Sequence, residues 1–356
     1  MERPSGDARV KPREPQLRIA VLSPIAWRTP PRHYGPWEQF ASLLTEGLVK
    51  LGHDVTLFAT ADSITTAKLR ATSPYGWSDA DDREPIDAKV AECIHIADVF
   101  EHAREFDIIH NSFDFLPLTY SQLVTTPIVT TIHGFSSPRI VPVYERYDNT
   151  TTYVSISDAD RHPNLHYEAT IHHGIDTDAF SCAGDVGDHL LAFARIHPDK
   201  GTADAIRIAQ ACGRRLVIAG IIQDECYFAE AVKPHIDGKN VVYLGPVATT
   251  NRTAVLGSAY ALLHPIGFDE PFGYSVVEAM ACGTPVIAFD RGSMPELIHD
   301  GVNGFLVGDV AEAANAVHKV PTLDRAAIRA DAVNRFDQSV MVNRYVEVYR
   351  SMLAQL

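Results

Sequence analysis

The sequence lacks most features that would settle a protein's class at once. No apolar run approaches the roughly 18 residues a membrane-crossing helix needs. The first fifteen residues, MERPSGDARVKPREP, contain no apolar stretch of the kind a secretory signal requires. They read as a disordered tail over 1–15, and a cytoplasmic protein is expected. Cysteine is scarce: Cys93, Cys182, Cys212, Cys226 and Cys282 make an odd five with no C-x-x-C spacing. That argues against a disulfide framework or a cysteine zinc site, and reduced thiols suit a cytosolic setting. Positive charge is also short, with 31 Lys+Arg against 45 Asp+Glu and a formal charge of −14. A nucleic-acid partner normally demands a basic face, and an anionic membrane surface would repel this chain. The dinucleotide fingerprint G-x-G-x-x-G is missing as well.

What the sequence does hold is a long alternation. Its 356 residues, 46% hydrophobic and 21% charged, suit a soluble chain of two domains. RIAVLSP reads as a buried strand, and WEQFASLLTEGLVKLG as a helix whose apolar residues recur at helical spacing. HDVTLFAT, DIIHN, VTTIHG, YVSIS and ATIHHGID follow as strands. The pattern restarts with HLLAFAR, TADAIRIAQACG, RLVIAG, VVYLGPV, ALLHPI, PVIAF and NGFLV. Strands alternating with helices imply parallel sheets built from right-handed βαβ units. The number of strands calls for two doubly wound domains, split at the glycine- and aspartate-rich SCAGDVGD. The expected organisation is therefore a first domain over 16–183, a second over 184–337, and a helix within 338–356. That last helix, QSVMVNRYVEVYRSML, either finishes the second domain or crosses back to the first.

In such sheets ligands bind outside the carboxyl ends of the strands, so the residues just after each strand carry the information. After the first strand, Gly35 precedes a helix start, where backbone N–H groups suit an anion. Pro36 there is equally an ordinary first helical residue. His133 and Gly134 end the strand VTTIHG, and a histidine at such a position serves structure as readily as chemistry. Arg195 and Lys200 share one loop with Gly201, at the ligand edge or simply in solvent. Ser275 and Glu278 form an S-x-x-E capping-box pattern. Glu270 has no evident local partner. A carboxylate suits neighbouring hydroxyls of a sugar or ribose, and the amides of Phe272, Gly273, Tyr274 and Ser275 open a helix suited to phosphate.

With seven residues between Glu270 and Glu278, EPFGYSVVEAMACGTPVIA resembles the signature of the family-4 retaining glycosyltransferases. GHDVTLFA, TTIHGF, YVSISDADR, HHGIDTDAF, ARIHPDKGT and GSMPELIHDGVNGFLV extend the resemblance over roughly 18–307. It implies a GT-B fold: two Rossmann-like domains of α/β class facing a central cleft. It further implies that Glu278 binds the ribose hydroxyls and that Glu270 lies near the donor sugar. Arg195 and Lys200 would hold the diphosphate, His133 would contact the sugar near the reacting carbon, and Gly35 would approach the diphosphate. The family usually has two glycines where this chain has Gly35-Pro36, and proline removes one N–H. The implied activity moves a hexose from a UDP- or GDP-sugar, used as co-substrate with no cofactor and no metal, to a hydroxyl acceptor. The acceptor, a soluble saccharide or small molecule, is expected at the first-domain loops carrying Trp27, Arg28, Arg32, His33, Phe135 and Arg139. Asp176-Thr-Asp178 reads as a turn or cap rather than a metal motif. Sugar-nucleotide epimerases share the fold, and a non-catalytic binder is the third reading.

Overall fold

The computed structural model describes residues 15–32, 34–79, 84–135, 137–182 and 185–355. All but Pro15 of the expected tail, together with His33 and part of the expected linker, lie outside the described residues. Seven strands form the first sheet: β1 (Arg18–Leu22), β2 (Asp54–Phe58), β3 (Lys68–Arg70), β4 (Ile108–Asn111), β5 (Ile128–Ile132), β6 (Thr152–Ser155) and β7 (Tyr167–Thr170). Six form the second: β8 (Leu190–Phe193), β9 (Leu216–Ala219), β10 (Val241–Gly245), β11 (Ala261–His264), β12 (Val286–Phe289) and β13 (Gly304–Val307). Both sheets are parallel, in the orders β3-β2-β1-β4-β5-β6-β7 and β10-β9-β8-β11-β12-β13.

These orders carry the function. Each sheet runs one way from its first strand and then reverses, leaving a crevice between β1 and β4 in the first and between β8 and β11 in the second. Ligands of doubly wound folds bind at that reversal, outside the strand ends. The loop after β8 holds Arg195 and Lys200, and the loop after β11 holds Glu270. The three residues therefore flank the second reversal because of strand order, although 70 positions separate Lys200 from Glu270.

The helix Gln338–Leu353 packs on the first sheet's side of the molecule. Its Met341, Val342 and Tyr345 share a core with Phe40, Leu44 and Leu48 of the helix Pro36–Lys50. Burying such side chains contributes about 1.5–3 kcal/mol each. The contact is close: a Cβ on Gly47 would lie 2.4 Å from Val342 Cγ2. Two polar bonds fix it, Tyr345 to Thr131 (2.8 Å) and Tyr349 to His110 Nδ1 (2.7 Å).

Two elements escape the sequence pattern. The helix Ala88–Glu101 and the three-residue β3 are partly exposed, so neither shows a full apolar face or run. One strand was expected to extend too far. ATIHHGID belongs to β7 only as far as Thr170; His172 and His173 then pack on Phe272, and Ile175 bridges Asp337 instead.

Candidate functional site

In the second domain, Glu270 is the hub. The sequence shows it no local partner, yet folding supplies two. Lys200 Nζ donates to Oε1 at 2.6 Å, and His264 Nε2 lies 2.9 Å from Oε2. Both side chains are at least nine-tenths buried, 9% and 4% exposed, and Lys200 also sits 4.6 Å over the Phe268 ring. Burial alone would raise the Glu270 carboxyl, but the His264 hydrogen bond and the Lys200 charge outweigh it and hold the group at about 2. Glycine makes the geometry possible. Gly201 has φ 66, and a Cβ there would meet Pro265 O at 1.8 Å, so the Lys200 loop can press against the β11 loop. Gly292 has φ 54, and its Cβ would strike Glu270 N at 2.4 Å. Arg195 is held by Gln223 and lies 3.9 Å from Asp199.

The capping-box reading of Glu278 does not hold. The helix Tyr274–Ala281 begins after Gly273, which has φ 107, so Ser275 lies inside the helix rather than at its cap. The buried Glu278 carboxylate instead accepts from Arg252 Nη1 at 2.7 Å. Burial raises its pKa, and the Arg252 charge opposes that rise. Asp176, by contrast, behaves as a cap: it accepts from the Asp178 N–H at 3.2 Å at the start of a short helical turn. Among the described residues the one cluster with metal-ligand spacing is Asp98, Glu101 and His102. It is already engaged by Arg70, at 3.2 Å from Asp98 and 2.6 Å from His102 Nε2.

The first domain meets this face at the end of β5. A Cβ on Gly134 would lie 2.8 Å from Pro271 Cγ, which places His133 beside the Glu270 turn. The His133 ring is stacked between Trp37 (5.4 Å) and His173 (5.1 Å), and His173 stacks in turn on Tyr274 (5.1 Å, 8°). His133 Nδ1 lies 3.4 Å from His173 Nε2. Burial brings the His133 pKa down to about 3, so the ring is neutral at physiological pH. Its Nε2, His173 Nδ1 and the Tyr274 hydroxyl are buried without a hydrogen-bond partner among the described residues.

Gly35 has φ 153 and is the N-cap of the helix that Pro36 opens. Beneath it lies a group the sequence reading did not weigh. Buried Glu38 accepts from Trp27 N at 3.3 Å, and burial pushes its carboxyl to about 7. Burial raises the pKa of Tyr34 in the same loop, with the Arg195 charge opposing the rise and the Glu270 charge adding to it. Arg32 pairs with Asp62 at 3.3 Å, Arg28 N bonds Asp79 at 3.4 Å, and Arg139 is exposed. These loop residues are thus not gathered on the Glu270 turn, whereas Phe135 is.

The structure therefore joins His133, Lys200, Glu270, Phe272 and Tyr274, with Glu278 one helical turn further on. Sequence reasoning missed His264, Arg252, His173 and Glu296. Glu296 crosses the seam, accepting from the N–H groups of Asp158 (2.9 Å) and Ala159 (2.8 Å) and facing His172 Nε2 at 2.9 Å. His264 was findable, since it ends the run ALLHPI at the ligand edge. The others pair over distances that no local pattern reveals.

Two parallel-sheet domains meeting at this seam form the GT-B fold, and solved structures agree. A glycosyltransferase involved in avilamycin A biosynthesis, AviGT4, is 25% identical and superposes with TM-score 0.69, covering 96% of this chain and 99% of its own. HepE of Anabaena, solved with UDP and glucose, is 20% identical with TM-score 0.71, covering 94% and 100%. Residues 187–321 match the family described as Glycosyl transferases group 1. An uncharacterized 41.2 kDa protein in the cps region of Klebsiella pneumoniae is 39% identical over 46% of this chain and 46% of its own. A phosphatidyl-myo-inositol mannosyltransferase of Mycobacterium leprae is 27% identical over 70% of this chain and 74% of its own. The chain thus spans under half of the first relative and about three quarters of the second.

Proposed function

We propose that the chain transfers a hexose from a nucleoside-diphosphate sugar to a hydroxyl acceptor with retention of anomeric configuration. The observation that carries this is the Lys200–Glu270–His264 cluster, placed at the reversal of the second sheet and abutting Gly134 of the first domain. Breaking the bond between the anomeric carbon and the diphosphate oxygen puts negative charge on the leaving group. Lys200, Arg195 and the amides opening the helix at Tyr274 are fixed donors for that charge, the preorganised arrangement that often dominates catalysis. The acceptor oxygen bonds the same face of the anomeric carbon, and its proton passes to an oxygen of the departing phosphate. Glu270 positions Lys200 and the sugar, and Glu278 takes the ribose hydroxyls. His133, neutral and carrying a free Nε2, contacts the sugar. The UDP and glucose bound by HepE favour a uridine-linked donor as the first to test, with guanosine-linked donors second. Turnover needs no metal on this reading, because side-chain cations supply the charge.

A thermal-shift screen across UDP- and GDP-sugars tests the proposal. A ligand at 100 times its dissociation constant adds about 2.7 kcal/mol of stability. No shift with any sugar nucleotide at millimolar concentration would overturn the reading.

A further inference from the structure

Beside Glu270 the cleft opens into a pocket of about 210 Å³. Its first-domain wall is Phe135 and residues 159–163, and its second-domain wall is residues 269–271 and Gly292. Two of the charged groups in that wall are already engaged. Glu270 holds Lys200 and His264. The Arg161 guanidinium sits 4.9 Å over the Tyr167 ring and donates to its carbonyl at 3.3 Å.

Asp160 differs from all of these. Its main chain is fixed, its N–H donating to Ser157 Oγ at 3.1 Å. Its Oδ2 is buried and accepts no hydrogen bond from any described residue. Its Oδ1 lies 3.8 Å from the position of a Cβ on Gly134, so the carboxyl sits against the strand end that carries His133. Burial, with the Glu296 charge adding to it, raises this carboxyl to about 7. An unpaired buried carboxylate oxygen costs stability, and no fold contact here offsets it. A hydroxyl donor entering the pocket would satisfy it. A phosphate would not, since Asp160, Asp269 and Glu270 line the space and Arg161 is tied to Tyr167.

We propose that this pocket is an acceptor subsite for a single uncharged polyhydroxylated ring, one of whose hydroxyls donates to Asp160. The proposal rests on the glycosyltransferase reading. The volume falls below the roughly 300–1,000 Å³ of drug-sized sites, which suits one ring rather than a chain. The pocket's place beside Glu270 puts that ring next to the expected donor sugar.

The test is saturation-transfer NMR on the full chain with saturating UDP, or with GDP if that is the nucleotide the chain binds. The probes are methyl α-D-glucopyranoside, methyl α-D-mannopyranoside, myo-inositol and mannose 6-phosphate, on the natural chain, Asp160→Ala and Asp160→Asn. At least one neutral probe binds the natural chain better than the phosphate ester does, and Asp160→Ala weakens it about tenfold while UDP affinity holds. Should Asp160→Ala fail to fold, the isosteric Asp160→Asn carries the comparison, with the same direction and a smaller loss. The proposal is overturned if no neutral probe binds, if the phosphate ester binds as well, or if the folded variants bind like the natural chain. It also falls if Asp160→Ala weakens UDP-glucose but not UDP, which would give the pocket to the donor sugar. UDP and GDP titrations of the natural chain separate the two readings: binding of neither sinks the transferase reading, whatever the probes do.

Discussion

The two faces of the cleft are built to opposite rules. On the second domain's face, the carboxylates expected to hold the donor each carry a cation: Glu270 has Lys200 with His264 beside it, and Glu278 has Arg252. On the first domain's face, His133 Nε2, His173 Nδ1 and Asp160 Oδ2 are buried without a hydrogen-bond partner among the described residues, a state that the Tyr274 hydroxyl shares on the second. Paired charges are held in place before a ligand arrives, which is how a site stabilises a leaving group without reorganising at the moment of reaction. Unpaired groups cost stability until something satisfies them. On the proposed reading, charge stabilisation would come from the second domain and hydroxyl recognition would be completed across from it.

The largest effect should come from the paired face. Lys200→Ala is expected to cut turnover roughly 10²–10³-fold, the usual loss for one preorganised donor, and Arg195→Ala should follow it. Steady-state release of nucleoside diphosphate measures both; turnover equal to the natural chain's in either would make that residue an ordinary loop cation.

Next comes Glu278→Gln. If the carboxylate takes ribose hydroxyls, losing its charge should weaken UDP binding about tenfold or more, since hydrogen bonds to charged groups contribute about 1.5–3 kcal/mol. Calorimetry decides this, and an unchanged affinity would leave Glu278 as a structural partner of Arg252 alone.

The unpaired face predicts a pH effect of known sign. The folded Asp160 carboxyl titrates at about 7 and an unfolded one near 3.9. Its neutral form therefore favours folding below pH 4, and that contribution is lost as pH rises through 7. Asp160→Asn should melt above the natural chain at pH 8 and level with it at pH 4. A gain at pH 4 as large as at pH 8 would remove the carboxyl as its cause.

The smallest expected effect is none. Turnover in excess EDTA should equal turnover in buffer, because Arg195 and Lys200 supply the positive charge. Loss of activity restored by magnesium or manganese would break this part of the comparison.

The sequence made the two doubly wound sheets legible because buried parallel strands write themselves as apolar runs. The ligand edge was legible too, since it follows from strand order once the strands are known. What stayed hidden was pairing. Ser275 and Glu278 sit three apart and mimic a capping box, while the actual partner Arg252 lies 26 positions away. Glu270 looked solitary because Lys200 reaches it only after β8 and β11 become neighbours. Asp160 and Glu296 gave no local signal, as their burial depends on the seam between the domains.

The central claim is that Lys200 and Glu270 serve glycosyl transfer with retention. The direct measurement is one-dimensional proton NMR of the products formed from UDP-glucose, and from GDP-mannose in parallel, by the natural chain and by Lys200→Ala. With water taking the glycosyl group, the account predicts that the natural chain releases nucleoside diphosphate from one of these donors and a free sugar whose first-formed anomer matches the donor's, with release nearly abolished in Lys200→Ala. A first-formed product of inverted configuration, or equal release by the two proteins, would contradict it.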